Sequence, residues 1–259
     1  MHILFTIAND SYVPYFNWFA RKALEYPNIK FSFLCLYPER PRMIDDMKPF
    51  GCDVYWIKFN ELKRKSGILF SIPKVYKVLK KIKPDIVHSH LFDDALICLT
   101  AAKLAAVKIR VITKGDACYH YFYAQKWMVF DKFNNYLATN IVAISRENQK
   151  FIVEKEMAET KKITLIHHGV PKKDCLNVCQ HRVKEFKKKY ELENYFVFGS
   201  IGRLESNKGM LDVLKATKKL TELTDLKFKV LIAGEGVQKE KLLCFIKENN
   251  LNNRVVLTG

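Results

Sequence analysis

The sequence predicts an α/β protein organised around two mostly parallel sheets. Two observations carry that prediction. Short apolar runs alternate with segments of helical period along most of the 259 residues, the pattern of repeated β and α units covering a sheet on both faces. A polar, lysine-rich stretch from Lys172 to Asn194, including "VKEFKKKYELEN", then breaks the rhythm before the alternation resumes. We read the break as a domain boundary: residues 1–175 form a first domain, 176–194 a linker, and 195–259 the opening of a second domain.

The opening "MHILFTIAN" gives a first strand over 2–8; it has neither a basic leader nor an apolar run long enough for a signal peptide. A helical pattern over 14–26 and strands over 30–36 and 53–57 follow. Over 73–83, Val75, Val78, Leu79 and Ile82 fall on one helical face and leave Lys74, Lys77 and Lys81 on another. A strand at 85–88 leads into "ALICLTAAKLAAVKIRVI". That run contains Lys103 and Lys108 and fewer than the ~18 uninterrupted apolar residues a membrane span needs, so it reads as a helix over 94–106 and a strand over 109–113. Strands at 141–144 and 163–166 flank a helix over 146–155. Beyond the break come strand 195–201, helix 209–223, strand 228–233, helix 238–249 and strand 254–258. Phe196, Val197, Phe198 and Ile201 make the first of these a buried strand.

Composition narrows the class. With 49% hydrophobic and 13% aromatic residues the chain is globular rather than disordered. Its seven scattered cysteines show no paired metal spacing and read as reduced thiols of a cytoplasmic protein. Cys175, Cys179 and His181 offer three metal ligands without an evident fourth. The formal net charge is +17, and residues 58–83 alone hold nine basic residues against one acid. A helix with such a cationic flank suits anionic lipid headgroups, at roughly 1 kcal/mol per Lys or Arg near the surface; nucleic acid phosphates and plain solvation are the alternatives. No recognised nucleic-acid module accompanies the charge, which favours lipid.

In open parallel sheets, ligands bind beyond the carboxyl ends of the strands. That rule selects Asn9 and Asp10, the run "HSHLFDD" from His88, "TKGDACYH" from Thr113, "SRE" from Ser145, "HHGV" from His167, and Gly202 with Arg203. His88 and His90 are alternate residues able to face one way. With Asp93 or Asp94 they imitate a metal cluster, but a hydrolase His-x-His-x-Asp-His spacing is not met. A polar pair contacting a sugar, or a histidine bonded to backbone, fits better. In "FVFGSIGRLESNKGMLDVLKA" a strand, a loop carrying Arg203 and Lys208, and a helix follow in turn. Cations beside a helix N-terminus suit an anion such as phosphate, against the bland alternative of a solvated loop.

Taken together, "SIGRLESNKGMLDVLKA", "KVLIAGEGVQKEKLLCFIKENNL" and "NRVVLTG" resemble, in order and spacing, the donor-domain opening of the group 1, or family 4, retaining glycosyltransferases. "KPDIVHSHLFDDALICLTAAKLAAVKIRVIT" and "IVAISRENQKFIVEKEMAETKKITLIHHGVP" are similar to upstream segments of that family. The resemblance covers most of residues 80–259. It implies the GT-B fold: two Rossmann-like domains with parallel sheets, the N-terminal one binding acceptor and the C-terminal one a UDP- or GDP-linked sugar. By motif match, Arg203 and Lys208 are catalytic, binding the donor diphosphate without a metal. Gly202, Gly209 and Glu235 join them in donor binding. His88, His90 and Gly169 are acceptor or cleft residues; so are Asn9 and Asp10, by position alone because the family's glycine-rich first loop reads "TIANDSYVPYF" here, and Asp116 or His120, one of which takes the polar role of a histidine that many members have where this chain has Lys114, Gly115 and Asp116.

The implied function is transfer of a hexose to a lipid-linked or saccharide acceptor in surface polysaccharide or lipopolysaccharide synthesis. The implied location is the inner face of the plasma membrane, with the basic 58–83 segment on anionic lipid and no nucleic acid partner. The family's donor domain continues through a segment whose two glutamates contact donor sugar and ribose, whereas this sequence ends at Gly259. The second domain is therefore expected to be incomplete. The alternative is a truncated, non-catalytic module that binds acceptor, lipid or a partner chain.

Overall fold

A computed structural model of the chain describes residues 1–8, 14–59, 64–115, 118–172, 176 and 178–259. Asn9, Asp10, Asp116 and Cys175 lie outside the described residues. The chain divides into two compact units, Met1–Val170 and Pro171–Gly259.

The first unit holds β1 (His2–Ile7), α1 (Pro14–Ala23), β2 (Lys30–Tyr37), α2 (Met43–Met47), β3 (Asp53–Lys58), α3 (Arg64–Ile82), β4 (Ile86–Ser89), α4 (Phe92–Leu104), β5 (Ile109–Lys114), α5 (Tyr119–Tyr123), α6 (Met128–Leu137), β6 (Asn140–Ala143), α7 (Arg146–Glu154) and β7 (Ile163–Leu165). Its seven strands pair in parallel in the order β3-β2-β1-β4-β5-β6-β7. Alternation along the strands builds a core on each face. Leu4, Leu34 and Leu36 pack with Val75 and Leu79 of α3 and the buried residues of α4; Phe5, Phe33 and Cys35 pack with Phe16 and Ala20 of α1 and Met43 and Met47 of α2. Helix α4 is apolar nearly all round and is buried accordingly, from Ala95 through Leu99 and at Ala101 and Ala102. Among the described residues no helix is long and apolar enough to cross a membrane.

Helix α3 starts nine residues before the expected 73–83, at Arg64. Proline is well placed in a first turn, which makes Pro73 look like a beginning. The structure instead carries Pro73 inside the helix on its exposed side, where water can serve the carbonyl left without a donor. Helices α2, α5 and α6 have no counterpart in the sequence-based assignment.

The second unit holds α8 (Gln180–Lys189), β8 (Phe196–Ile201), α9 (Met210–Leu223), β9 (Phe228–Ala233), α10 (Lys239–Glu248) and β10 (Val255–Leu257), its strands parallel in the order β10-β9-β8. The stretch expected as a linker thus contains α8 and groups with the second sheet. His181 of that helix approaches Glu185, one turn on, at 3.4 Å. The core joins Leu204, Met210 and Leu214 to Phe228, Val230 and Ile232 of β9 and Leu242 and Ile246 of α10. Strand β8 departs from expectation. It lies at an edge of the described sheet, and Phe196, Val197, Phe198 and Ile201 are exposed, Ile201 to 88%. The central strand β9 takes the burial expected of β8.

Candidate functional site

Strand order reverses in the first sheet beside β1: β2 lies on one side and β4 on the other. Such a switch point opens a crevice at the strand ends. There Thr6 of β1 faces Ser89 of β4 in register. The two hydroxyls lie 2.8 Å apart, and Thr6 Oγ1 donates to Asp94 Oδ2 at 2.8 Å. The same carboxylate accepts the N–H of His90 at 3.0 Å and of Leu91 at 2.8 Å. Asp94 therefore closes the first turn of α4 and fixes the β4–α4 turn that carries His90. Complete burial pushes its pKa up to about 7 against the pull of these hydrogen bonds.

His88 of β4 and His90, on the turn just beyond it, stack their rings with centroids 4.4 Å apart. Phe5 packs against both, and Tyr15 and Phe16 against His90. Burial pushes the His88 pKa down to about 4. It drives His90 well below the ordinary value, with His88 and His168 adding to the effect. Both rings are neutral at pH 7, so they act here as hydrogen-bonding groups. His88 Nε2 meets Thr113 Oγ1 at 2.8 Å, whereas His90 Nε2 is buried with no partner among the described residues.

A cavity of about 610 Å³ opens over this pair, walled by Tyr15, Trp18, Phe19, His168 and Gly169. A second, of about 390 Å³, shares His90 and Thr113 and is lined by Arg64, Lys114, Tyr119, His120 and Asp131. The structure thus groups His88, His90 and Gly169 around one cavity, with His120 on the neighbouring one. His120 is held by Asp131, Nδ1 to Oδ2 2.6 Å. Lys114 Nζ bridges Asp131 at 3.2 Å and Glu156 at 2.9 Å, and Asn135 donates to Glu156 at 2.7 Å. Of these residues, Thr113, Lys114 and His120 lay in the run the strand-end rule selected; Asp131, Asn135 and Glu156 of the network, and Thr6, Tyr15 and Arg64 beside it, were missed by sequence reasoning. Thr6 carried a signal in lying near a strand end; Asp131 and Glu156, in segments assigned no element, carried none. Among the described residues no group of three His, Cys, Asp or Glu side chains is arranged to hold a metal ion.

In the second unit, two loops lock backbone to backbone. Gly202 N–H donates to Ala233 O at 3.0 Å, Leu204 N–H to Glu235 O at 2.9 Å, and Gln238 N–H to Leu204 O at 3.0 Å. The contact is so close that a Cβ on Gly234 would lie 2.0 Å from Gly202 O, and one on Gly236 2.5 Å from Leu204 O. Gly234 also has φ +145°, outside the range of other residues. The Gly-Glu-Gly sequence is thereby explained by packing. Leu204 is fully buried and pins the first loop, and Gly209, at φ +68°, turns the chain into α9. Arg203 and Lys208 are left exposed on either side of that anchor. Arg203 Nη1 pairs with Glu205 at 2.8 Å, yet its side chain is 68% exposed, where such a pair contributes about 0–1 kcal/mol. Glu235 is exposed and pairs with Lys239 at 3.0 Å. Gly202, Arg203, Lys208, Gly209 and Glu235 thus all lie on these two loops.

Residues 22–173 match the family model Glycosyltransferase Family 4, and residues 182–259 match Glycosyl transferases group 1. An uncharacterized glycosyltransferase of Methanocaldococcus jannaschii is 28% identical over 220 residues, 78% of this chain and 53% of that protein. The UDP-Gal:alpha-D-GlcNAc-diphosphoundecaprenol alpha-1,3-galactosyltransferase of Escherichia coli is 28% identical over 200 residues, 73% of this chain and 50% of that protein. The chain spans about half the length of these two curated relatives. Among solved structures, HepE of Anabaena in complex with UDP and glucose superposes with a TM-score of 0.78 at 14% identity, over 100% of this chain and 69% of that one. That likeness gives the fold, and the family match gives the lineage: the chain belongs to the family 4, or group 1, glycosyltransferases and has the GT-B architecture.

Proposed function

We propose that this chain carries the acceptor-binding unit and the first part of the donor-binding unit of a retaining glycosyltransferase. The enzyme moves a hexose from a UDP- or GDP-sugar to a lipid-linked or saccharide acceptor in surface polysaccharide or lipopolysaccharide assembly. The observation that carries the reading is the locked loop pair holding Arg203 and Lys208, exposed, beside the first turn of α9. As the glycosidic bond breaks, negative charge grows on the departing diphosphate. Fixed cations and helix N–H groups bind that state more tightly than the ground state, so the reading asks for no metal. In the first unit, the neutral His88–His90 pair and the aromatic wall of the larger cavity suit acceptor sugar hydroxyls and ring faces. The lipid-linked acceptor named in the Escherichia coli relative supports the acceptor class. The exposed Lys74, Lys77 and Lys81 of α3 suit an anionic membrane surface on the cytoplasmic side.

Turnover of a panel of UDP- and GDP-sugars, with and without chelator, tests the proposal. Nucleotide release that survives chelation and disappears in Arg203→Ala and Lys208→Ala supports it; release untouched by both substitutions contradicts it. The second reading, a binding module completed by a partner, is favoured by the exposed apolar strand β8. It predicts nucleotide or saccharide binding without turnover.

A further inference from the structure

Helix α6 is turned inside out relative to an ordinary surface helix. It buries Asp131, Asn134 and Asn135 and exposes Val129 (61%), Phe130 (38%), Phe133 (41%) and Tyr136 (69%). A surface helix normally does the reverse. The cause is the buried network of Lys114, His120, Asp131, Asn135 and Glu156. Those bonds hold the polar face inward, and the apolar residues are left on the other side.

The exposed face of α6 does not stand alone. Leu69 and Phe70 of α3 are 67% and 65% exposed. An apolar groove of about 560 Å³ lies between α3 and the start of α6, walled by Ile68, Leu69, Ile72, Trp127 and Phe130 over Leu96 of α4. Its rim is cationic, with Lys65 and Lys126 exposed beside it and Lys132 exposed on α6. The segments 64–82 and 119–137 hold six and two basic residues respectively, and their one acid, Asp131, is buried. Apolar side chains ringed by lysines, with no exposed acid on these two segments, match one occupant: the interface of a bilayer bearing anionic headgroups, with acyl chains on the aromatic face and headgroups on the lysines.

We propose that α6 and the α3–α6 groove insert into the interface of an anionic membrane. The inserted face adds hydrocarbon contact to the electrostatic contact proposed for the α3 lysines, and it is independent of the transfer reaction. Trp127 at the groove reports insertion directly. In a Trp18→Phe, Trp56→Phe background it is the one remaining of the chain's three tryptophans. Phosphatidylcholine–phosphatidylglycerol vesicles carrying brominated acyl chains are expected to quench its fluorescence. Phe133→Gln with Tyr136→Gln, both at exposed positions, is expected to lower vesicle partitioning about ten-fold or more with the thermal transition unchanged. Lys65→Gln with Lys126→Gln is expected to reduce it on the order of ten-fold on anionic vesicles and little on pure phosphatidylcholine.

A Lys74→Gln, Lys77→Gln, Lys81→Gln variant separates this proposal from the electrostatic one. Quenching that persists in that variant supports insertion. Vesicle binding that depends on those lysines, without quenching of Trp127 by brominated chains, overturns insertion and leaves the electrostatic contact standing. A dimer that the Phe133 and Tyr136 substitutions dissociate, without quenching on vesicles, also overturns it.

Discussion

The two candidate sites are built in opposite ways. At the switch point of the first sheet the groups are neutral, His90 buried and His88 half-buried: desolvation discharges both, aromatic rings pack against them, and one imidazole nitrogen has no partner among the described residues. On the loops of the second sheet the groups are exposed and charged, and the precision lies in the backbone beneath them. The difference follows the ligand proposed for each site. A sugar hydroxyl gains most from a fixed hydrogen bond in a dry wall, where an unmet partner costs about 1–3 kcal/mol. A diphosphate gains most from cations that remain charged without a desolvation cost.

The comparison breaks most sharply at the glycines. Gly234→Ala places a methyl group on the carbonyl of Gly202 and strains a φ of +145°. We expect a loss of about 3 kcal/mol from the second unit, read by chemical denaturation, and with it the loss of nucleotide binding. The next effect is on rate. Lys208→Ala is expected to lower transfer about 10²–10³-fold, the scale for removing one group that stabilises developing charge, with circular dichroism unchanged. Glu205→Gln sharpens the point: it removes only the surface partner of Arg203 and is expected to change transfer less than about threefold.

In the first unit, His90→Ala is expected to raise the acceptor KM about tenfold and leave UDP affinity as it was. Asp94→Asn tests the turn that carries His90, and its effect should fall on the acceptor in the same way. The smallest effect is one of pH. Because the folded His88 pKa, about 4, lies below the ordinary 6.5, the unfolded chain takes up this proton first as pH falls. Its contribution to stability is therefore intact above about pH 6.5 and declines toward pH 4. Asp94, raised to about 7 from 3.8, acts in the opposite sense, weakening the fold as pH rises across that window. The clean readout is the His88 imidazole itself, whose NMR shifts are expected to stay in the neutral form until near pH 4.

Both sheets were legible because parallel strands buried on two faces are written as plain apolar runs; every strand of both was expected within about two residues of its place. The loop carrying Arg203 and Lys208 was legible from the strand, loop and helix that follow one another there with two cations between; the close backbone contact that requires Gly234 and Gly236 was not. What stayed hidden was tertiary. The four apolar residues of α6 have helical spacing, but only the ion network around Asp131 decides that they face outward. Strand β8 reads as buried because its residues are apolar; its place at the sheet edge is what exposes them. The role of Asp94 was half visible, as one of two acids after "HSHLF", and its actual task is to bind amides of its own turn.

The most direct measurement is the affinity of the chain for UDP and GDP by calorimetry, for the native protein and for Arg203→Ala with Lys208→Ala. Removing two charge-assisted contacts, at about 1.5–3 kcal/mol each, predicts at least about a hundredfold weaker diphosphate binding, while affinity for the bare nucleoside holds. Equal diphosphate affinity in the two proteins, or no binding to the native chain, would contradict the account.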